Sequence, residues 1–198
     1  MDKPVPIYTI GYGNRSIEQF IELLKRYEIA FVVDVRSQPY SRHNSNFSKD
    51  DLALRLKQHH IHYLFMGDTL GGRPQDTTCY ESDGRVNYAM LRAKPFYQEG
   101  IDRLRTAWEK QFHVAVMCTE IRPNECHRGK LIGNTLVEQQ IDVRHIDETG
   151  MLLEQEEVNQ RIHHDTEPTQ YNLFEEINPS TNDKMAFSSK RYSKKESA

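Results

Sequence analysis

Short runs of apolar residues recur along residues 1–147, and each run ends in a polar or glycine-containing loop. Runs of consecutive Val, Ile and aromatic residues are typical of strands that are covered on both faces of a sheet. The pattern therefore predicts five strands: PIYTIGYG (6–13), AFVVDVR (30–36), IHYLFMG (61–67), HVAVMCTE (113–120) and DVRHI (142–146).

Amphipathic stretches lie between these runs and predict the helices. In the clearest of them, apolar side chains recur at helical spacing: Ile17, Phe20, Ile21, Leu23 and Leu24. Ser16 is placed to cap this helix, with Gln19 at the capping-box position. Further helices are predicted from Ser48 to about Gln58, within 87–110 with a break at Pro95, over CHRGKLIGNTLVEQQ, and over the terminal MLLEQEEVNQRIHH.

Strands that alternate with helices along a chain form right-handed βαβ units and a parallel sheet. We therefore predict an α/β protein, with a mostly parallel sheet of about five strands and helices on both faces. From Asp165 onward the chain is polar, rich in Ser and Lys, and lacks periodicity. Such a segment cannot bury enough apolar surface to fold, so we predict a domain at 1–164 and a disordered tail at 165–198.

Charge and cysteine content narrow the class of protein. The net charge of −3 argues against a generally basic nucleic-acid coat, although it permits a local basic surface. Three cysteines, without paired spacing, argue against a disulfide framework and favour a reducing compartment. The N-terminus lacks the apolar region of a signal peptide, and no apolar run is long enough to span a membrane. We therefore expect a cytoplasmic protein with no membrane partner.

Candidate ligand-binding residues follow from the predicted strand ends. Ligands of open α/β sheets bind beyond the carboxyl ends of the strands, and arginine forks suit phosphate or carboxylate groups. We therefore predict an anionic ligand, such as a nucleotide or a nucleic-acid backbone; the alternative is that the arginines are ordinary solvated loop residues. The candidates are Gly11, Asn14, Asp34, Arg36, Arg42, Gly71, Gly72, Arg73, Arg122 and Arg128.

The loop after the fourth predicted strand concentrates residues that can carry chemistry. Cys126 lies near a predicted helix N-terminus beside His127 and Arg128, and these features favour a thiolate. We predict that Cys126 is the nucleophile, or that Glu120 and His127 act as acid and base. Cys118, at the strand end, is predicted to face Cys126 across the turn.

Three alternatives stay open for these cysteines. Cys118, Cys126 and His127 can form a metal site, although a Cys-x7-Cys-His spacing matches no common zinc pattern. The two cysteines can form a redox pair, although a CxxC spacing is absent. One or both can be small buried hydrophobes, which suits Cys118 best because it directly follows VAVM. On spacing alone we expect no metal and no cofactor.

Four separated motifs resemble the family called domain of unknown function 488. They are TIGYGNR, DVR, LGG and CTEIRPNECHR, and the resemblance covers roughly residues 7–147 in order. Tyr12 stands where many members have a histidine, which leaves any role of that histidine open here. The resemblance implies an α/β domain with a site at these loops, and it implies no particular reaction.

The predicted tail contains one more motif, TQYNLFEE at 169–176. Gln170, Leu173 and Phe174 resemble the Gln-x-x-Leu-Phe peptide by which bacterial DNA polymerases and repair proteins dock on the sliding clamp. A flexible segment with two adjacent apolar anchors and a glutamine suits such docking, and coincidence is the alternative.

Together these patterns predict an enzyme that acts on DNA or a nucleotide, by an unassigned reaction, and that is recruited to the sliding clamp. The alternative is a non-catalytic domain that senses a nucleotide or nucleic acid with the same loops. Tight binding without turnover distinguishes the second hypothesis from the first.

Overall fold

The computed structural model describes residues 4–166. Its strands are β1 (Ile7–Gly11), β2 (Phe31–Asp34), β3 (His62–Phe65), β4 (Val114–Cys118), β5 (Val143–Ile146) and β6 (Leu152–Glu154). They form one sheet in the order β3-β2-β4-β1-β5-β6, in which every neighbouring pair is parallel except β5 with β6. The predicted α/β class and mostly parallel sheet are confirmed.

Seven α-helices lie within the described residues: α1 (Ile17–Arg26), α2 (Lys49–Gln58), α3 (Gly67–Leu70), α4 (Tyr88–Arg92), α5 (Pro95–Glu109), α6 (Asn134–Glu138) and α7 (Gln155–Thr166). The predicted capping box starts α1, where the Gln19 amide donates to Ser16 Oγ at 3.2 Å and the Ser16 amide donates to Gln19 Oε1 at 2.9 Å. The predicted break at Pro95 separates α4 from α5.

Both faces of the sheet are buried beneath helices, as predicted. On one face, Phe20 of α1 and Leu52 of α2 belong to the same apolar cluster as Met117 of β4. On the other face, α3 to α6 belong to a second cluster that includes Val116 of β4. Successive β4 side chains point to opposite faces, so burial on both sides explains the unbroken apolar run that predicted this strand.

Two predicted elements differ from the structure. Residues 151–164 are predicted as one helix, but Leu152–Glu154 form β6, antiparallel to β5, and α7 begins only at Gln155. The helix predicted from Cys126 begins after His127, and its first turn is a π-helix (Arg128–Gly133) that runs directly into α6. Both differences come from tertiary pairing, which a local periodicity does not encode.

The strand order fixes where a ligand can bind. After β1 the chain turns to α1 on one face, and after the neighbouring strand β4 it turns to α6 on the other face. Neighbouring strands whose connections diverge leave a crevice at their carboxyl ends, and ligands of open α/β sheets bind there. The crevice lies beyond Gly11 and Cys118.

Across residues 4–166 the structure contains no helix with the length and apolarity that a membrane crossing requires. The predicted boundary between a domain at 1–164 and a tail at 165–198 stays a prediction.

Candidate functional site

A polar cleft of about 530 Å³ lies at the carboxyl edge of the sheet. It is lined by residues that follow β2, β3 and β4, together with Tyr88 of α4. Many of the predicted site residues meet here, namely Arg36, Gly72, Arg73, Cys118, Glu120 and His127. The strand-end rule predicted that side chains of these loops lie close together, and they do; their role in binding stays a prediction.

Two thiols and an imidazole form a compact cluster beside this cleft. The distance from His127 Nδ1 is 3.8 Å to Cys118 Sγ and 3.7 Å to Cys126 Sγ. The three atoms all lie within 4.8 Å of one another. The Cys118 thiol also donates a hydrogen bond to Glu120 Oε2 at 3.0 Å. Cys118 and His127 line the cleft, whereas Cys126 is only 1% exposed and lies beneath them.

The chain between the two cysteines folds back on itself to bring them together. A 3₁₀ turn at Pro123–Glu125 ends with the Cys126 amide donating to the Pro123 carbonyl at 3.2 Å. The fully buried Arg128 side chain holds the other end, since its two terminal nitrogens donate to the carbonyls of Glu120 and Ile121 at 2.5 and 2.9 Å. The guanidinium predicted to bind a ligand therefore holds the loop that carries Glu120.

The π-helix follows immediately after this cluster. Its wide turn leaves backbone carbonyls that accept hydrogen bonds from side chains. The Gln155 side chain donates to the Gly129 carbonyl, and the Asn134 side chain donates to the Lys130 carbonyl, at 3.1 Å each. The Arg128 amide donates to Cys126 Sγ at 3.5 Å, so the helix start contacts the sulfur directly. π-helical turns often occur at functional sites, and this one fixes the position of Cys126 and His127.

The two cysteines have opposite electrostatic environments. The Cys118 thiol shares a hydrogen bond with Cys126 and is buried. Both effects raise its pKa well above the usual value. Burial also tends to raise the pKa of Cys126, but contacts with Cys118 and His127 and the charge of Arg128 lower it well below its usual value. The structure therefore favours a single thiolate, at Cys126.

The Cys126 thiolate raises the pKa values of both acid and base candidates, Glu120 and His127. Burial and the negative charge of Cys126 raise the pKa of the Glu120 carboxyl. Burial tends to lower the pKa of His127, but its hydrogen bond to Cys126 outweighs this and raises it. The other ring nitrogen, Nε2, is buried and makes no hydrogen bond to the described residues.

Arg36 is the buried cation of the cleft. Its Nε and Nη2 donate to the two carboxylate oxygens of Asp34 at 2.9 and 2.6 Å, and Tyr63 donates to the same carboxylate at 2.6 Å. Its guanidinium carbon lies 5.3 Å from the centre of the Tyr12 ring. Burial alone would lower the pKa of Arg36, but the bonds to Asp34 raise it, so the cation is retained. Asp34 therefore positions Arg36.

The three predicted glycines all make close packing contacts. A methyl group on Gly11 would lie 1.8 Å from the carbonyl oxygen of Glu120, so only glycine lets β1 approach the loop after β4. A methyl group on Gly72 would lie 2.8 Å from the His127 ring, so the Gly72 backbone packs closely against the imidazole. Gly71 is buried, and a methyl group there would lie 2.2 Å from the Gly67 carbonyl oxygen.

Other predicted residues lie outside the cleft. Arg42 is exposed in the loop before α2. Asn14 lines a separate depression beside α1, and Arg122 contacts the carboxylates of Glu125 and Glu148 at 3.5 and 3.7 Å. Gln170, Leu173 and Phe174 lie outside the residues that the structure describes.

Several residues of the site were not among the predicted site residues. Tyr63 of β3 donates to Asp34, and Tyr12, directly after β1, lies beside the Arg36 guanidinium. Ser37 Oγ accepts the Arg73 amide at 2.9 Å, which joins the loops after β2 and β3. Tyr88 enters the cleft from α4, and burial raises the pKa of its hydroxyl. These contacts depend on strand order, which a single sequence does not specify.

Comparison with protein-family models matches residues 16–134, more than half of the chain, to the Domain of unknown function DUF488. No curated protein and no solved structure matches the chain.

Proposed function

Since this chain belongs to the DUF488 family, whose description assigns no reaction, we propose its function from the site: it is an enzyme that acts on a nucleotide or a nucleic acid. Arg36 and Arg73 hold a phosphate group of the substrate in the cleft. The cluster of Cys118, Cys126, His127 and Glu120 carries the chemistry.

One observation carries this proposal: a partly unpaired buried arginine lines the same cleft as the thiol–imidazole cluster. Two nitrogens of Arg36 bond to Asp34, but its Nη1 is buried and makes no hydrogen bond to the described residues. A buried donor without a partner costs about 1–3 kcal/mol, more for a charged group. An anionic ligand oxygen is the partner that a guanidinium fork prefers.

The remaining cleft residues fit this role. Arg73 is exposed at the rim, where it can meet a second oxygen of the same ligand, and its backbone is held by Ser37. The Glu120 carboxylate lies in the cleft wall and serves as the acid or base. Cys126 is too buried to contact a substrate, so it acts through Cys118 and His127 rather than as the nucleophile.

The nucleic-acid part of the proposal also draws on the sequence. The Gln170, Leu173 and Phe174 motif supports recruitment to a bacterial sliding clamp. A clamp partner would bring the cleft to DNA that is being replicated or repaired, which makes modified or damaged DNA a natural first substrate library.

Binding is tested with the full chain, labelled single-stranded DNA and labelled nucleotides, by fluorescence polarisation. Arg73→Ala should weaken binding about tenfold or more, because a hydrogen bond to a charged group contributes about 1.5–3 kcal/mol. Arg85→Ala is the matched control, since Arg85 is exposed and pairs only with the nearby Asp83 among the described residues. Equal affinities of the two variants would remove the cleft from ligand binding.

Turnover is tested by mass spectrometry of substrate mixtures. Glu120→Gln should keep binding and reduce turnover by about 10²–10⁴-fold, the usual effect of losing a general acid or base. Glu125→Gln is the matched control, because Glu125 lines the same cleft while its carboxylate contacts Arg122 at 3.5 Å. Tight binding without turnover in the unmodified protein would instead support a sensor of nucleotides or nucleic acid.

A further inference from the structure

The geometry points to a metal site: Cys118, Cys126 and His127 bind one divalent cation of the zinc class through two sulfurs and Nδ1. The fourth coordination position opens into the cleft, where Glu120 lies beside it. Metal binding rests on the placement of three side chains, and its use in chemistry rests on the proposed function.

The ligand separations are close to those of a tetrahedral site. With Zn–S of about 2.3 Å and Zn–N of about 2.0–2.1 Å, a tetrahedron places sulfur and nitrogen about 3.5 Å apart. The observed distances from Nδ1 to the two sulfurs are 3.8 and 3.7 Å, and all three atoms lie within 4.8 Å of one another. The nitrogen–sulfur distances therefore need shifts of a few tenths of an ångström, and the two sulfurs, which lie within 4.8 Å of each other, approach the roughly 3.8 Å of a tetrahedron when metal binds.

The surroundings hold the ligands in this arrangement. The Arg128 amide donates to Cys126 Sγ, which is the kind of outer contact that orients a metal thiolate. The Gly72 backbone supports the His127 ring from one side. Cys118 is the last residue of β4, so the sheet fixes the third ligand. The donors therefore come from two separately anchored segments, the end of β4 and the Cys126–His127 pair before the π-helix.

Charge also fits a divalent ion in this buried place. Metal binding displaces the protons of Cys118 and His127 to solvent, so two thiolates and one neutral imidazole balance the dication and the complex carries no net charge. Burying a neutral complex avoids the large desolvation cost of an isolated ion. Soft sulfur donors select zinc-class metals over Mg²⁺ or Ca²⁺, which prefer oxygen.

The position of the cleft decides which kind of metal site this is. Structural zinc sites are closed by four protein ligands, whereas catalytic sites have three and keep one position for water or substrate. Cys118 and His127 line the cleft and Cys126 lies beneath them, so the remaining position faces the cleft. Glu120, whose Oε2 is 3.0 Å from Cys118 Sγ, would be the base nearest to that position, and the metal would make water bound there more acidic.

The test measures metal bound by the full chain, purified under reducing conditions and incubated with Zn²⁺ or Co²⁺ before gel filtration. We expect about one equivalent of metal by elemental analysis and, with Co²⁺, an intense thiolate-to-cobalt charge-transfer band. The band requires no variant, so the test stands even where a ligand variant fails to fold.

Variants assign the ligands. Cys118→Ser, Cys126→Ser and His127→Ala should each lower Co²⁺ affinity by at least about 10–100-fold, because even an outer contact of a metal ligand costs that much. Cys79→Ser is the matched control, since Cys79 is equally buried but lies outside the cluster. It should keep the metal and the charge-transfer band.

Three results would overturn the metal site. The first is no metal retained by the reduced protein. The second is a Cys79→Ser variant that loses metal as completely as Cys118→Ser. The third is a Cys118–Cys126 disulfide in the isolated protein with no metal uptake after reduction. Metal retained without any turnover would support the site and remove the enzymatic function, so the two failures are distinguishable.

Discussion

Gly72→Ala tests the structural reasoning most directly, because it adds one methyl group against the His127 ring. The new carbon would lie 2.8 Å from Cγ and Nδ1 of the imidazole, whereas ordinary contacts begin at 3.4 Å. Gly72 has no left-handed backbone angle, so the substitution introduces no strain of that kind. The perturbation is therefore a push on one side chain.

The required displacement is large compared with the tolerance of a metal site. Relieving the contact moves the ring by about 0.6 Å, whereas ligand distances in metal sites hold to about ±0.2 Å. We expect Co²⁺ affinity to fall about 10–100-fold, the range seen when an outer contact of a ligand is lost. Stability should fall by about 1–3 kcal/mol, the usual cost of overpacking.

Gly100→Ala separates the metal effect from overpacking. A methyl group on Gly100 would lie 2.7 Å from side-chain atoms of Leu70, a clash of similar size, but it contacts no residue of the cluster. Cobalt titration monitored by the charge-transfer band gives affinity, and urea unfolding gives stability. Gly100→Ala should leave the affinity unchanged while lowering the unfolding midpoint.

The reasoning would be refuted if Gly72→Ala bound Co²⁺ as tightly as the unmodified protein. That result would mean that the LGG loop yields to the new methyl group and does not support the imidazole. An equal loss of affinity in both glycine variants would also refute it, because general destabilisation would then explain the effect.

Three further predictions concern the supporting structure and the tail. Asp34→Asn should destabilise the protein by about 3–5 kcal/mol by leaving Arg36 buried without its partner, and an unchanged urea midpoint would contradict this. Burial lowers the pKa of His145 to about 3, so below the ordinary value of about 6.5 only the unfolded chain takes up its proton. Stability should therefore fall as pH drops from about 6.5 towards 3, by at most about 1.4 kcal/mol per pH unit, and His145→Gln should flatten this slope in urea titrations. Leu173→Ala combined with Phe174→Ala should abolish binding to a bacterial sliding clamp in surface plasmon resonance, and absence of binding by the unmodified chain would make the motif a coincidence.

The sheet was predictable because burial on both faces leaves an unbroken apolar run, as in Val114–Cys118. The edge strand β6 was not, since Met151, Leu152 and Leu153 fit a helix as well as a strand and only pairing with β5 decides. The π-helix was missed for a related reason: its extra residue is accommodated by contacts from Gln155, which is distant in the sequence.

The candidate site was also predictable only in part. The strand-end rule predicted that Arg36, Cys118 and Glu120 meet at one edge of the sheet, and they line one cleft, because the rule depends only on topology. Spacing argued against a metal, but spacing describes distance along the chain, and the turn at Pro123–Glu125 brings the two cysteines together in space. Arg128 was predicted to bind a ligand because of its charge alone. In the structure its two terminal nitrogens donate to the backbone carbonyls of Glu120 and Ile121 instead.

The π-helix makes the length of this segment as important as its residues. Each residue of an α-helix turns the chain by about 100°, so deleting one residue between Arg128 and Gly133 would rewind the segment as an α-helix and rotate what precedes it by that angle. If Leu136 kept its place in the core, Cys126 and His127 would then face away from Cys118. A single deletion in this segment would therefore abolish the site even where every functional side chain is preserved.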